Sequence, residues 1–240
     1  MELRRFFTES NKIIGNSIVI DNLEYNHIVK VLRFKVGFKL IICVGDGYDY
    51  HSTVISIDDK VVICEINEKL LNINNSKVEV NLFAAMIKED NFELVVQKAV
   101  ELGVYSITPV ITAYVSEKSL RADRLEKISS DASKQCGRAS KVIINPAVNL
   151  EQAINKAGKS ELTIMAYEKE RYVTLQDILI KSKNVRSIAL LIGPEGGFSD
   201  EERDIINKNH ISKFTLGRRI LRAETASIVT LGIIMYELDK

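Results

Sequence analysis

Apolar positions change their rhythm near residue 78, from short strand-like runs to a strand and helix alternation. In the first stretch, Phe38 to Val44 is apolar-rich and Gly45-Asp46-Gly47 supplies a turn. Tyr48 to Ile57 then alternates, Asp58-Asp59 turns the chain again, and Val61 to Ile66 continues as strand. One helix interrupts this pattern, with Asp21 expected as N-cap and Glu24 at the third helical position. Its apolar stripe is Leu23, His27 or Ile28, Val31 and Leu32. Short strands with a single helix predict a small β-barrel over residues 1–72, and the polar run from Asn72 to Lys77 reads as a linker.

Residues 73–240 form the second region. Strands are expected over Val78 to Ala85, Val104 to Val110 (ended by Pro109 or soon after), Leu162 to Ala166, Ile188 to Ile192 and Lys213 to Leu216. Helices are expected over Phe92 to Leu102 with Gly103 as a C-terminal cap, Leu120 to Cys136, Leu150 to Lys156, Ser199 to Lys208 and Ala223 to Leu238. Such alternation predicts an α/β domain, a mostly parallel sheet with helices on both faces.

Composition adds few constraints. The 240 residues are 46% hydrophobic and 27% charged, enough for a core without a disulfide or metal staple. Cys43, Cys64 and Cys136 are far apart, and His27, His51 and His210 show no ligand spacing, so reduced thiols and no metal are expected. The start, Met1 to Phe7, has no apolar core of a secretory signal, and the apolar stretch around Ile228 to Tyr236 is too short to span a bilayer. A cytoplasmic protein without a membrane partner is the expectation. A net charge of +1 means that any nucleic-acid binding must come from local patches.

The segment from Leu190 to Glu202 carries the strongest chemical signal. An apolar strand ends in Gly193-Pro194-Glu195-Gly196-Gly197 and opens a helix at Ser199, with Glu202 completing a capping box. Glycines at a strand's carboxyl end let backbone approach a ligand closely. Asp200, Glu201 and Glu202 already occupy the helix's electropositive end, and no Lys-Ser/Thr follows the glycines. A phosphate is therefore disfavoured, and a neutral or cationic ligand such as S-adenosylmethionine suits the segment. The same spacing also suits a tight structural turn with an ordinary cap.

A second segment runs from Leu216 to Ala226. Arg218, Arg219 and Arg222 crowd behind Gly217, and Glu224 stands near a helix start. A solvated turn with Glu224 offsetting the helix dipole would read the same way.

Together these residues carry a resemblance. Gly193-Pro-Glu-Gly-Gly197, followed by Leu216-Gly-x-Arg-Ile-Leu-Arg-x-Glu-Thr-Ala226, is similar to the RsmE family of SPOUT methyltransferases, the 16S rRNA uridine-N3 enzymes. Gln97-Lys-Ala-x-Glu-Leu-Gly-Val104 with Ile107-Thr-Pro109, Gln135-Cys-Gly-Arg138, and His27-x-x-x-Val-Leu-Arg33 resemble further family stretches, in order along nearly the whole chain. Two departures stand out. The usual Lys-Gly-Asp-Arg is Lys88-Glu-Asp-Asn91, and the proline expected soon after Arg138 comes only at Pro146.

The resemblance implies an N-terminal PUA-like β-barrel, a SPOUT α/β-knot (trefoil) domain, a homodimer, and S-adenosylmethionine held in three knotted loops, after Ile164 to Ala166, Leu190 to Gly197 and Leu216 to Leu221. It carries over Ala166, Leu190, Gly193, Pro194, Glu195, Gly197, Leu216, Gly217, Ile220 and Leu221 as cofactor-binding residues. Arg222 oriented by Glu224, with Arg138 from the partner subunit, is the expected catalytic group. N3 lies on the Watson–Crick edge, so the target base must be unpaired or flipped out. Arg4, Arg5, Lys30, Arg33, Lys88 and Lys134 are the expected RNA contacts on 16S rRNA or the small ribosomal subunit. The alternative is a non-catalytic RNA-binding or ribosome-assembly protein on the same fold.

Overall fold

The computed structural model describes residues 3–115 and 119–239, with Leu23 described by its backbone alone. The expected stripe position at Leu23 thus lies outside the described side chains. Contacts divide the chain into two units, residues 1–75 with 130–141, and residues 76–129 with 142–240.

The first unit is a curled sheet of six strands: β1 (Arg5–Phe7), β2 (Ile13–Ile14), β3 (Ser17–Asp21), β4 (Lys39–Cys43), β5 (Tyr48–Asp58) and β6 (Val61–Leu71), in the order β1-β4-β5-β6-β3-β2. Only β1 and β4 pair in parallel; the other pairs are antiparallel. Register shifts between His51 and Ser52 and between Val54 and Ser56 interrupt the β5–β6 ladder. Such bulges bend and twist a strand, which helps a sheet curl on itself. Alternation then sorts the side chains, with Ile18, Ile20, Leu40, Ile42, Val54 and Val62 all buried in one cluster with Phe6.

The helix of this unit departs from the sequence reading. It spans α1 (Asn22–Asn26) and continues as a π-helical turn over His27–Val31, closed by the Leu32 N–H donating to the His27 carbonyl at 2.9 Å. Asp21 ends β3 opposite Val61 and stands directly before α1, where its side chain pairs with Lys12, and Glu24 is the third helical residue as expected. The wider π turn shifts the face that follows, leaving Ile28 buried but Val31 68% exposed.

In the second unit the sheet contains β7 (Glu79–Ala85), β8 (Ser106–Ile111), β9 (Ile143–Ile144), β10 (Val148–Asn149), β11 (Leu162–Ala166), β12 (Ser187–Ile192) and β13 (Ser212–Phe214). The order is β10-β8-β7-β12-β11-β13, with β9 also on β8, and every pair is parallel. The helices are α2 (Glu89–Glu101), α3 (Ala122–Cys136), α4 (Leu150–Ala157), α5 (Leu175–Lys181), α6 (Asp200–Lys208) and α7 (Ala223–Leu238). The last residues of α3 group with the first unit.

Pro109 does not end its strand, although it lacks an N–H. It pairs with Ala84 on one side; on the other, β9 reaches only Ser106 and Ile107, and β10 only Val110 and Ile111. The proline falls in the gap between two short partners, where no donor is needed. Gly103, at φ +97°, ends α2 with the Val104 N–H donating back to the Ala99 carbonyl at 3.0 Å, a Schellman closure. α5 has no counterpart in the sequence reading. Its seven residues make barely two turns, and it is held by a Thr174–Asp177 capping box.

Candidate active site

β12, β11 and β13 are adjacent and parallel, so the loops at their carboxyl ends open on one edge of the sheet. Those loops enclose a cavity of about 300 Å³, at the lower end of the size range of small-molecule sites. Ala166, Tyr167, Glu168 and Arg171 line it from the loop after β11. Ile192 and the run from Gly193 to Phe198 line it from β12. Thr215 to Gly217 and Arg219 to Leu221 follow β13, and Ala223 and Ala226 come from α7.

Nine of the expected cofactor residues therefore meet at this cavity: Ala166, Gly193, Pro194, Glu195, Gly197, Leu216, Gly217, Ile220 and Leu221. Leu190 does not. It lies inside β12, paired with Leu82 and Ile164 and fully buried, so the sheet rather than the cavity takes its side chain. Tyr167, Glu168, Arg171, Gly196, Phe198, Thr215 and Arg219 line the cavity without having been singled out for it in the sequence.

The glycines are needed for two different reasons. A Cβ on Gly193 would sit 2.6 Å from Cε2 of Phe198, which folds back over the turn, and one on Gly196 would meet Cβ of Tyr114 at 3.1 Å. At Gly217 nothing lies within 4 Å, but φ is +111°, a region L side chains avoid. Gly197, at φ +71°, closes its turn by donating to the Pro194 carbonyl at 3.0 Å.

α6 anchors the glycine loop. The Ser199 hydroxyl accepts the Glu202 N–H, and the Glu202 carboxylate accepts the Ser199 N–H at 2.9 Å and the Ala113 N–H at 2.8 Å. Asp200 pairs with Arg203, which holds its carboxyl below the usual range. Glu201 is held low as well, by its own backbone N–H and by Ser199. The helix start thus already carries its anions, and a bound phosphate would face three carboxylates. Within the cavity wall stand two carboxylates, Glu168 and Glu195, and two guanidinium groups, Arg171 and Arg219.

Arg222 is the exposed N-cap of α7, and Glu224 sits two residues on, 8% exposed, with Oε2 lacking a hydrogen-bond partner. Among the described residues no ion pair joins them, so the expected orienting contact is not formed; one side chain faces solvent and the other is enclosed. Arg138 is also enclosed, at 4% exposure, and donates toward the Ser140 hydroxyl at 3.4 Å. It lies in the 130–141 segment that groups with the barrel. There Asn72 Nδ2 donates to the Gly137 carbonyl at 2.9 Å and to both oxygens of Asp49. The residue read as the start of a linker is therefore a buried anchor.

Arg4, Lys30, Arg33 and Lys88 are exposed, free of ion pairs among the described residues. Two of the expected RNA contacts are engaged inside the barrel unit instead. Arg5 grips Asp49 with both terminal nitrogens, and Lys134 is paired with Glu24 and Asp131. Cys43 and Cys64 are buried free thiols, each pushed up to about 12 by that burial. No cluster of metal-ligating side chains exists among the described residues, and none of their helices is long and apolar enough to cross a membrane.

A family model described as an RNA methyltransferase domain matches residues 74–235, and one described as an RNA methyltransferase PUA domain matches residues 20–67. The ribosomal RNA small subunit methyltransferase E of Mesomycoplasma hyopneumoniae strain 232 is 32% identical over 233 residues, covering 95% of this chain and 96% of that protein. This chain belongs to the ribosomal RNA small subunit methyltransferase E family. The family member from Rickettsia conorii is 28% identical over 234 residues, covering 97% of this chain and 95% of its own.

Solved structures agree with the family assignment. A methyltransferase from Legionella pneumophila, in complex with the cofactor SAM, superposes with a TM-score of 0.86 at 28% identity, covering 98% of each chain. The family member of Neisseria gonorrhoeae bound to S-adenosylmethionine gives 0.86 at 25% identity, covering 99% of this chain and 98% of that one. The all-parallel sheet with its edge-opening loops is thus a SPOUT-type methyltransferase domain, and the curled sheet a PUA-like barrel.

Proposed function

We propose that this protein transfers the methyl group of S-adenosylmethionine to N3 of a uridine in 16S ribosomal RNA of the small subunit. The observation that carries the reading is the cavity itself: glycine-walled, lined by opposite charges, and followed by a helix start whose positive end is already occupied by its own acids. Such a donor set fits a cationic sulfonium with a zwitterionic tail. Glu168 and Glu195 suit the positive groups, Arg171 or Arg219 the tail carboxylate, and Leu216, Ile220 and Leu221 the apolar faces of the adenosine. Bound there, S-adenosylmethionine supplies a methyl group on a positively charged sulfur, so the transfer needs no metal.

The chain's own residues must then deal with a proton and a charge. N3 of uridine has no free lone pair until its proton leaves, and the resulting anion spreads over O2 and O4. A guanidinium aimed at that edge stabilises the anion, and a carboxylate accepts the proton. In this reading Arg222 supplies the guanidinium and Glu224 is the carboxylate; its Oε2 lacks an internal partner. Arg138 joins the site from the partner subunit of a homodimer. Arg4, Lys30, Arg33 and Lys88 hold the RNA backbone, and a ribosomal substrate is consistent with a cytoplasmic protein.

Arg222→Ala should abolish methyl transfer to small ribosomal subunits while leaving calorimetric S-adenosylmethionine affinity within a few-fold, because the exposed Arg222 is not part of the cavity wall. Undiminished turnover would remove Arg222 from the reaction, and loss of cofactor binding would show that it holds the cofactor instead.

A further inference from the structure

The mouth of the cavity carries an unusual pairing of bare arginine and bare apolar surface. Arg171 and Arg219 line it, and Arg218 and Arg222 flank Arg219 along the chain, all four exposed. None of these four side chains has an ion-pair partner among the described residues. Beside them Tyr172 is 90% exposed and Ile220 is 82% exposed. One bare apolar side chain means little on any protein surface. Ile220 on the cavity wall and Tyr172 next to the lining residue Arg171, together with four arginines outside any ion pair among the described residues, form a surface with a definite chemical preference.

The loops that present these side chains are fixed. The Thr215 N–H donates to the Val173 carbonyl at 2.8 Å and the Tyr167 N–H to the Phe214 carbonyl at 3.0 Å, tying the loop after β11 to the loop after β13. Glu170 Oε1 collects the backbone N–H groups of Arg171, Tyr172 and Val173 at 2.9, 2.9 and 3.2 Å. The backbone beneath the Tyr172 ring is thus pinned by its neighbour, so the ordering cost on binding is confined to the ring's own rotation.

We propose that Tyr172 is a stacking platform for an unpaired base of the RNA segment that carries the target uridine, with Arg218 and whichever of Arg171 and Arg219 the cofactor tail leaves free taking the flanking phosphates. A base brings a π face for the phenol ring and a phosphate for each neighbouring arginine, and an unpaired strand is what access to N3 demands. A second copy of this chain matches less well, since its net charge of +1 offers no polyanion to four arginines. The inference rests on the RNA-methylation reading above and adds the residues that seat the strand.

The test uses the full chain and small ribosomal subunits from a strain lacking the endogenous enzyme, with radiolabelled S-adenosylmethionine. Transfer by the unaltered protein is measured first; its absence would sink the methylation reading, and this inference with it, before any variant is made. Tyr172→Ala should then lower kcat/KM for the subunit by roughly ten-fold, the effect of losing one stacked base. S-adenosylmethionine affinity and solution mass should stay unchanged, and Tyr172→Trp should restore turnover. Turnover within two-fold of the unaltered protein would overturn the proposal. So would a loss that Trp fails to rescue, which would assign the role to the hydroxyl, or one that accompanies a fall in solution mass, which would assign the ring to a contact between copies.

Discussion

The carboxylate of Glu202 joins two loops, accepting the backbone N–H of Ala113 at 2.8 Å with one oxygen and that of Ser199 at 2.9 Å with the other. Glu202 and Ser199 are each 9% exposed, so the Ser199 N–H is left without ready access to water once the carboxylate is gone, whereas Ala113 is exposed. The cap of α6 therefore also fixes the end of the glycine loop against the loop that follows β8.

Glu202→Ala should consequently cost about 1–3 kcal/mol, because one buried donor, the Ser199 N–H, is left without a partner. Chemical denaturation would read the stability loss. Calorimetry with S-adenosylmethionine should show weaker binding in the same variant, because the loop carrying Gly193 to Gly197 loses its anchor. Unchanged affinity in a destabilised variant would confine Glu202 to folding.

The glycines allow a sharper comparison. Gly193→Ala places a methyl group against the Phe198 ring, itself buried in the core, and should cost about 1–3 kcal/mol by overpacking. Gly217→Ala meets no atom, so its cost, about 1–3 kcal/mol, is backbone strain alone. Gly193→Ala combined with Phe198→Leu should recover part of the loss, since the shorter side chain clears the new methyl group. No second substitution of a neighbour should rescue Gly217→Ala. Equal rescue, or none, measured by thermal unfolding, would contradict this division.

In the barrel unit, Asp49 holds Arg5 with both oxygens and receives Asn72 as well. Burial alone would raise its carboxyl, but the hydrogen bonds from Arg5 and Asn72 and the Arg5 charge outweigh it and hold the group below the usual carboxylate range. Its folded value is depressed, so the stability it contributes is complete above the ordinary carboxylate value of about 3.9 and is lost as pH falls through the depressed one. Asp49→Ala, which strands the Arg5 charge, should lower stability by about 3 kcal/mol at pH ~7. The gap between the two proteins in denaturant titrations should close in acid. A gap independent of pH would mean that the carboxylate's charge is not what holds the 130–141 segment through Asn72.

Much of this was legible in the sequence where a pattern has a local cause. The Ser199–Glu202 capping box, the span of α7 and the glycine turn after β12 each follow from residues a few positions apart. The loop from Tyr167 to Arg171, which follows Ala166, was expected at the cavity only through the family resemblance and had no such local cause. It has neither apolar period nor glycine, and it reaches the cavity only because β11 lies between β12 and β13. Leu190 was assigned to the wall by family position, whereas the strand's own pairing buries it. Asn72 looked like linker because a polar residue in a polar run gives no sign that its partners, Asp49 and Gly137, lie 23 and 65 residues away. The π turn after α1 escaped for a related reason: nothing in a stripe counted at helical spacing marks where the spacing widens.

The central claim is tested most directly by incubating the purified protein with S-adenosylmethionine and small ribosomal subunits lacking the modification, then digesting the RNA and analysing its nucleosides by mass spectrometry. The account predicts new 3-methyluridine in 16S rRNA, dependent on Arg222. A methyl group on any other nucleoside, or none at all with cofactor binding intact, would contradict it.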